Sequence, residues 1–262
     1  MIEGSDDLVR VATSGAVATI TLNRPEKRNA LNDAMLRALL HAMDVVEAQP
    51  EIRAVVMRGE GNSFCSGVDL AEKLADRGVR GAVEFELLLE AFTRLEHHPN
   101  PIIAALQGTS LAGGWELALH CDVRFAAPDA RFGMPLVRLG LVVPYPAATR
   151  LVQLAGAAAA TDLLLSGNLI TGTRAYELGL VTHLVAADQL SAAATEYAEK
   201  VAALAPLAVR ETKRVLAHLV RTPAPAEYAD FDAARRRVTG SADTEEGLRA
   251  FLDRRTPTFT GR

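Results

Sequence analysis

The sequence predicts an α/β fold carrying an all-helical C-terminal region, on three observations. Short apolar runs of strand length at residues 54–57, 102–106 and 122–126 alternate with helical stretches, the pattern of crossover-connected strands. Residues 115–119 are apolar almost all round apart from Glu116, as in a helix buried on every side. From Asp188 onward the strand-like runs stop and only helical patterns remain. The division expected is therefore a core over residues 1–187 and a helical subdomain over 188–262.

Taken in order, residues 8–14 and 16–22 read as a hairpin turning at Ser14-Gly15. Asn32 is a good N-cap for a helix whose stripe is Leu36, Leu39, Leu40 and Met43, with Pro50 beyond its end. A helix is expected at 84–95. Residues 107–110 read as a turn, 131–135 as a turn-rich link and 139–145 as a packed loop, because Gly140 and Pro144 interrupt it. Residues 157–165 read as a helix ended by Ser166-Gly167-Asn168. Thr171 caps a short helix at 173–178, and 181–185 form a last strand. Helices are then expected at 188–204, 206–220, 226–239 and 244–254, divided by Pro and Gly.

The chain has 262 residues, 49% of them hydrophobic, enough for one large core and an appended subdomain. A formal net charge of −4 provides no basic field for nucleic acid. Arg235-Arg236-Arg237 reads as a solvated face or a subunit contact. Neighbouring pairs such as His97-His98 and His120-Cys121 point different ways, so no metal site is read. No apolar run reaches membrane-spanning length, and residues 1–10 lack an apolar signal core. With two cysteines, a reducing, cytoplasmic setting is expected.

Glu116 is the candidate catalytic group. A carboxylate on a buried helix is costly unless paired, hydrogen-bonded or protonated. The alternative is a carboxylate that only complements the helix N-terminus. Gly59-Glu60-Gly61 follows a strand, but Phe64 stands where a dinucleotide fingerprint needs its third glycine. Cys65 has no local base to activate it and reads as a packed thiol.

Five blocks then resemble the crotonase superfamily, the enoyl-CoA hydratase/isomerase family: residues 23–31 (NRPEKRNAL), 63–70 (SFCSGVDL), 111–122 (LAGGWELALHCD), 130–135 (ARFGMP) and 255–262 (RTPTFTGR). They come in family order and span nearly the whole chain. The resemblance implies a ClpP-like spiral of repeated ββα units with a C-terminal trimerisation subdomain, and a homotrimer or a dimer of trimers (a hexamer). It implies an acyl-CoA thioester as substrate, so that coenzyme A arrives with the substrate and no separate cofactor is needed. The backbone N–H groups of Val68 and Gly113 are implied as an oxyanion hole for an enolate, with Glu116 as acid/base. Lys27, Arg28, Ala30, Ser66, Asp69 and Leu70 are implied around CoA, and Phe259 in a tail that reaches a neighbouring subunit's CoA pocket. Lys27 and Arg28 also read as an ordinary solvated loop.

The family's hydratases use two glutamates, and Leu136 occupies the second position here. Leucine can neither hold nor deprotonate water. Tyr145 stands in a segment that replaces the family's glycine-rich turn and is a candidate for the acyl pocket, or a packed loop tyrosine. The expected activity is hydratase-like lyase chemistry on an enoyl-CoA thioester with Glu116 as sole acid/base. The alternatives are double-bond isomerisation and non-catalytic acyl-CoA binding, the latter opposed by the retention of Glu116.

Overall fold

The structure is a computed structural model that describes residues 8–72, 74–75, 86–220 and 229–261. The chain divides into two compact units, residues 1–68, 86–132 and 170–221, and residues 69–85, 133–169 and 222–262.

The first unit is organised on a six-stranded sheet. β1 (Val9–Ser14) and β2 (Val17–Leu22) form the expected hairpin, with Ser14 opposite Val17. β3 (Ala54–Gly59), β4 (Ile102–Leu106), β6 (Val123–Ala126) and β9 (His183–Leu184) extend it in parallel, in the order β1-β2-β3-β4-β6-β9. A parallel sheet is buried on both faces, which is why β3 and β4 read as unbroken apolar runs. One face packs against α6 (Leu190–Ala202). Alternate strand residues Val17, Ala54, Val56, Ile103, Ala105 and Phe125 meet Leu190, Ala194, Ala198 and Ala202, spaced four apart on one helical stripe. Before it in the chain come α1 (Asp33–Glu47), α2 (Glu86–His97), α3 (Gly113–Leu119), α4 (Tyr145–Ser166) and α5 (Gly172–Glu177). Asn32 caps α1 by accepting the Met35 N–H at 2.8 Å, and Thr171 caps α5 through the Arg174 N–H at 3.1 Å.

A second, three-stranded sheet of β5 (Thr109–Leu111), β7 (Arg131–Gly133) and β8 (Ile170–Thr171) corrects two expectations. Residues 109–110 and 131–133 are strand, not turn or link. Each strand is too short to show alternation, and each is fixed by partners distant in sequence: Cys65 bridges Ser110, and Phe132 pairs with Ile170. The loop expected at 139–145 is also corrected at its end, because α4 begins at Tyr145. Pro144, read as an interruption, is its N-cap, and Pro146 is an early helical residue, where a missing N–H costs nothing.

In the first unit α7 (Pro206–Leu219) is tied down by a buried lysine. Lys213 Nζ donates to Asp122 Oδ2 at 2.7 Å and to the Asn100 carbonyl at 3.1 Å, while Asp122 Oδ2 also accepts the Ile102 N–H at 2.7 Å.

The second unit holds α4, α8 (Ala229–Thr239) and α9 (Ala242–Leu252). α9 lies on the 3-10 helix Pro135–Leu139, which carries Leu136. A β-carbon at Gly247 would sit 2.3 Å from the Leu139 carbonyl oxygen, so only glycine permits this approach. Thr244 Oγ1 donates to the Gly140 carbonyl at 2.7 Å. The tail is strapped to α9: Asp243 accepts from the Thr260 and Gly261 N–H groups, and Glu246 takes a fork from Arg255 and the Thr258 N–H. The Arg255 guanidinium holds the Glu246 carboxyl down at about 2. Phe259 lies between these anchors and is half-exposed. Parts of the expected helices at 84–95 and 226–239 fall outside the described residues, as do residues 1–7 and Arg262.

Lys213→Ala is expected to leave Asp122 and the Asn100 carbonyl without their cation. Removing one partner of a buried pair costs about 3–5 kcal/mol, and the partial exposure of Asp122 places this case at the low end, about 3 kcal/mol. Urea unfolding of the two proteins measures it.

Candidate active site

The site in the first unit is built where two loops are laid beside the N-terminus of α3. The first loop, residues 24–31, is centred on Asn29, which is fully buried and has φ +54°. Asparagine tolerates this left-handed backbone better than most residues. Its Nδ2 lies 2.8 Å from the Ser63 carbonyl, 3.0 Å from that of Glu60 and 3.1 Å from that of Phe64, and its Oδ1 accepts the Arg24 N–H at 2.8 Å. One amide thus fixes its own loop and the loop that leads to Val68.

That second loop runs alongside β5. The Cys65 N–H donates to the Thr109 carbonyl at 3.2 Å, and the Leu111 N–H to the Cys65 carbonyl at 3.1 Å. Gly67 follows at φ +93°, where a β-carbon would stand 2.8 Å from the Leu111 carbonyl oxygen and 3.5 Å from the Gly113 nitrogen. The Leu31 N–H donates to the Gly67 carbonyl at 2.8 Å, which joins the two loops.

These constraints bring Val68 and Gly113 together. A β-carbon on Gly113 would lie 3.5 Å from Val68 Cγ2. Gly113 is the first residue of α3, so its N–H has no partner within the helix. Among the described residues, neither N–H donates to a backbone carbonyl. The preceding residue, Ala112, has φ 46° and ψ −124°, a conformation costly for a residue with a β-carbon. Strain is thus stored at the peptide that aims the Gly113 N–H. Gly114 is required by close approach, since a β-carbon there would meet Cys65 Sγ at 2.7 Å. The Cys65 thiol is buried, donates to the Asn29 carbonyl, and is pushed up by burial to about 12. It packs and does not react at neutral pH.

Glu116 stands one turn into α3, every residue of which is buried. Among the described residues its Oε1 has no hydrogen-bond partner, and burial pushes its carboxyl up to about 8. The carboxyl is therefore protonated at neutral pH, so the charge expected of a catalytic base is absent at rest. The neighbouring Trp115 stacks on Phe132 with ring centroids 4.4 Å apart.

The sequence-implied CoA residues divide between the units. Lys27, Arg28, Ala30 and Ser66 meet in the first: the Ser66 N–H donates to the Arg28 carbonyl at 3.0 Å and its hydroxyl to that of Lys27 at 3.3 Å. Lys27 and Arg28 are exposed and Ala30 is buried. Asp69, Leu70, Leu136, Tyr145 and Phe259 belong to the second unit. Asp69 is buried, with Oδ1 accepting the Glu72 N–H at 3.2 Å. Leu136 is buried, and Tyr145 stacks on Phe231 at 5.0 Å. Sequence reasoning quoted Asn29 only as part of a motif. Its clue was the residue type, an asparagine in a turn-rich stretch. Among the described residues no cluster of three His, Cys, Asp or Glu is placed to hold a metal, and no helix is long and apolar enough to cross a membrane.

Two outcomes are expected. Asn29→Ala leaves the buried Ser63 and Phe64 carbonyls and the half-buried Glu60 carbonyl without their donor and puts alanine in a left-handed backbone. A loss of about 2–4 kcal/mol in denaturant unfolding should result. For Glu116, a folded-state carboxyl raised above its unfolded value contributes stability that is complete below about 4.5 and lost as pH rises through about 8. The melting temperature of Glu116→Gln should therefore gain on the parent's across that window and keep a constant lead above it.

Comparison with known proteins bears on this geometry. The enoyl-CoA hydratase/isomerase family model matches residues 12–262. A putative enoyl-CoA hydratase of Thermus thermophilus is 38% identical, over 94% of this chain and 98% of its own length. The 2,3-dehydroadipyl-CoA hydratase of Escherichia coli is 34% identical, over 96% and 98%. Among solved structures, methylmalonyl-CoA decarboxylase in complex with 2-nitronate-propionyl-CoA superposes with a TM-score of 0.89 at 30% identity, covering 97% of this chain and 99% of that one. A complex of methylmalonyl-CoA decarboxylase with 2S-carboxypropyl-CoA gives 0.90 at 29%, covering 98% and 100%. With the ClpP-like α/β fold and these blocks of sequence, the chain belongs to the enoyl-CoA hydratase/isomerase family of the crotonase superfamily.

Proposed function

We propose that the protein is an acyl-CoA lyase in which the Val68 and Gly113 N–H groups hold a thioester enolate and Glu116 is the single proton-transfer group. The observation that carries this reading is the buried carboxyl of Glu116, raised by burial to about 8, on the same helix as one of the two N–H donors. Donors fixed in advance at the point where negative charge develops are worth most where water is excluded. Lys27 and Arg28 are exposed beside Ser66 and suit the phosphates of CoA.

Hydration of an enoyl thioester is the reaction for which the relatives above are named. It needs a water that is held and deprotonated, and the resemblance gives the second of the two carboxylates as Leu136. A second route to the same enolate is favoured by the state of Glu116. In a 2-carboxyacyl thioester the bond to the carboxylate breaks, its electron pair becomes the enolate, and CO2 leaves. Protonated Glu116 then gives its proton to the enolate carbon and regains one from water. This route needs no base and no bound water, only the N–H pair and one acid, and the two superposed decarboxylases support it. Isomerisation of a 3-enoyl thioester needs Glu116 ionised first, which its raised pKa opposes at neutral pH.

The same reading takes the molecule as a homotrimer or dimer of trimers in the cytoplasm. Leu207, Val215, Leu216 and Leu219 on α7 are exposed in the single chain and support it.

A panel of 2-enoyl, 3-enoyl and 2-carboxyacyl CoA thioesters, read for hydration, double-bond migration and CO2 release, tests the proposal. At least one should be turned over, and Glu116→Gln should lower that rate by about 10²–10⁴ with binding preserved. An unchanged rate in Glu116→Gln contradicts it. Leu136→Glu should raise hydration of a short 2-enoyl-CoA and leave CO2 release no faster.

A further inference from the structure

Behind the catalytic helix, the first unit buries a second carboxylate and an imidazole that the proposed chemistry does not use. His120 is the C-cap of α3, and its N–H bonds back to the Glu116 carbonyl at 3.1 Å. Its side chain is 2% exposed, and its Nδ1 lies 3.5 Å from Oε2 of Glu96, itself 3% exposed. The Phe92 ring stacks on the imidazole, with centroids 4.9 Å apart and planes within 7°. Phe92 and Glu96 lie four apart on α2, and Leu88, four residues earlier, reaches the other end of α3. A β-carbon on Gly113 would be 3.0 Å from Leu88 Cδ2. One stripe of α2 therefore splints α3 from its oxyanion donor to its C-cap.

We infer that Glu96 and His120 are positioning residues, which fix the rotation of α3 so that Gly113 and Glu116 face the reacting thioester together. This rests on the proposed role of Glu116. The physical case is one of cost. Burying a carboxylate and an imidazole is a poor way to gain stability, because desolvating both groups consumes most of what their contact returns, and apolar residues of similar size often hold a fold better. Leucine or methionine at both positions would have closed this contact. What this arrangement adds over apolar packing is direction: with the Phe92 ring flat on the imidazole and Glu96 Oε2 3.5 Å from Nδ1, a turn about the helix axis is resisted from two sides. The helix it caps has only seven residues, so a rotation at His120 is carried one turn to Glu116. A misplacement of about 1 Å at a reacting group costs up to about 10²-fold in rate.

The decisive variant is the double replacement Glu96→Met/His120→Leu, which removes both polar groups at once. It should match or exceed the parent's melting temperature while its kcat falls about 10–100-fold, with KM within about twofold. Glu96→Gln, which still offers the imidazole an oxygen, should keep most of the rate. Phe92→Leu, which removes the stack without touching a charge, provides a second reading if the double variant folds poorly, and should lower kcat in the same sense. A double variant, or a folded Phe92→Leu, with parental kcat would overturn the inference and leave the pair a packing feature. Glu116→Gln on the same substrate separates the two failures. If it retains the parent's rate, the role of Glu116 falls, and the positioning of that group falls with it. If it is slow while the Glu96 and His120 variants are not, only the positioning inference falls.

Discussion

The amide of Asn29 is the contact on which the site depends. It satisfies three carbonyls of the loop before Val68, those of Ser63 and Phe64 buried and that of Glu60 half-buried, and one N–H of its own loop. Polar backbone in a buried loop has to be paired or the loop cannot be buried, and here one side chain does this for two loops. Everything downstream inherits its position: the Leu31–Gly67 bond, the left-handed turn at Gly67, and the approach of Val68 to Gly113. The glycines at 67 and 114 are the steric counterpart, since a methyl group at either would push the loop away from the helix.

Against this polar scaffold α3 is dry. Its N-terminus would favour an anion at Glu116, yet desolvation dominates and the carboxyl stays protonated to about pH 8. A residue that must both give and take a proton works best with a pKa near the working pH. Burial is the simplest way to raise a carboxyl that far, and desolvation is the cause of the shift at Glu116.

Much of this was legible in the chain. The length and apolarity of 102–106 marked β4 to the residue, Asn32 and Thr171 marked their helices, and Glu116 stood out as the one charge on an apolar helix. What was hidden depends on partners far away in sequence. β5 and β7 are three residues each and exist through pairing with residues 65 and 170. Pro144 and Pro146 carry the same local signal whether they break a helix or begin one. Asn29 stood only within the 23–31 block, and nothing local announces that its amide reaches residues 60–64. Glu96 and His120 are 24 positions apart, and nothing local links them.

The central claim is that Glu116 is a neutral acid at rest. Infrared titration of the protein, with the carboxyl C=O band assigned by its loss in Glu116→Gln, tests it without any assumption about substrate. A buried, protonated carboxyl band that persists through neutrality and vanishes near pH 8 agrees with the account. A band that has already disappeared by pH 5, leaving an ionised Glu116 through the neutral range, contradicts it.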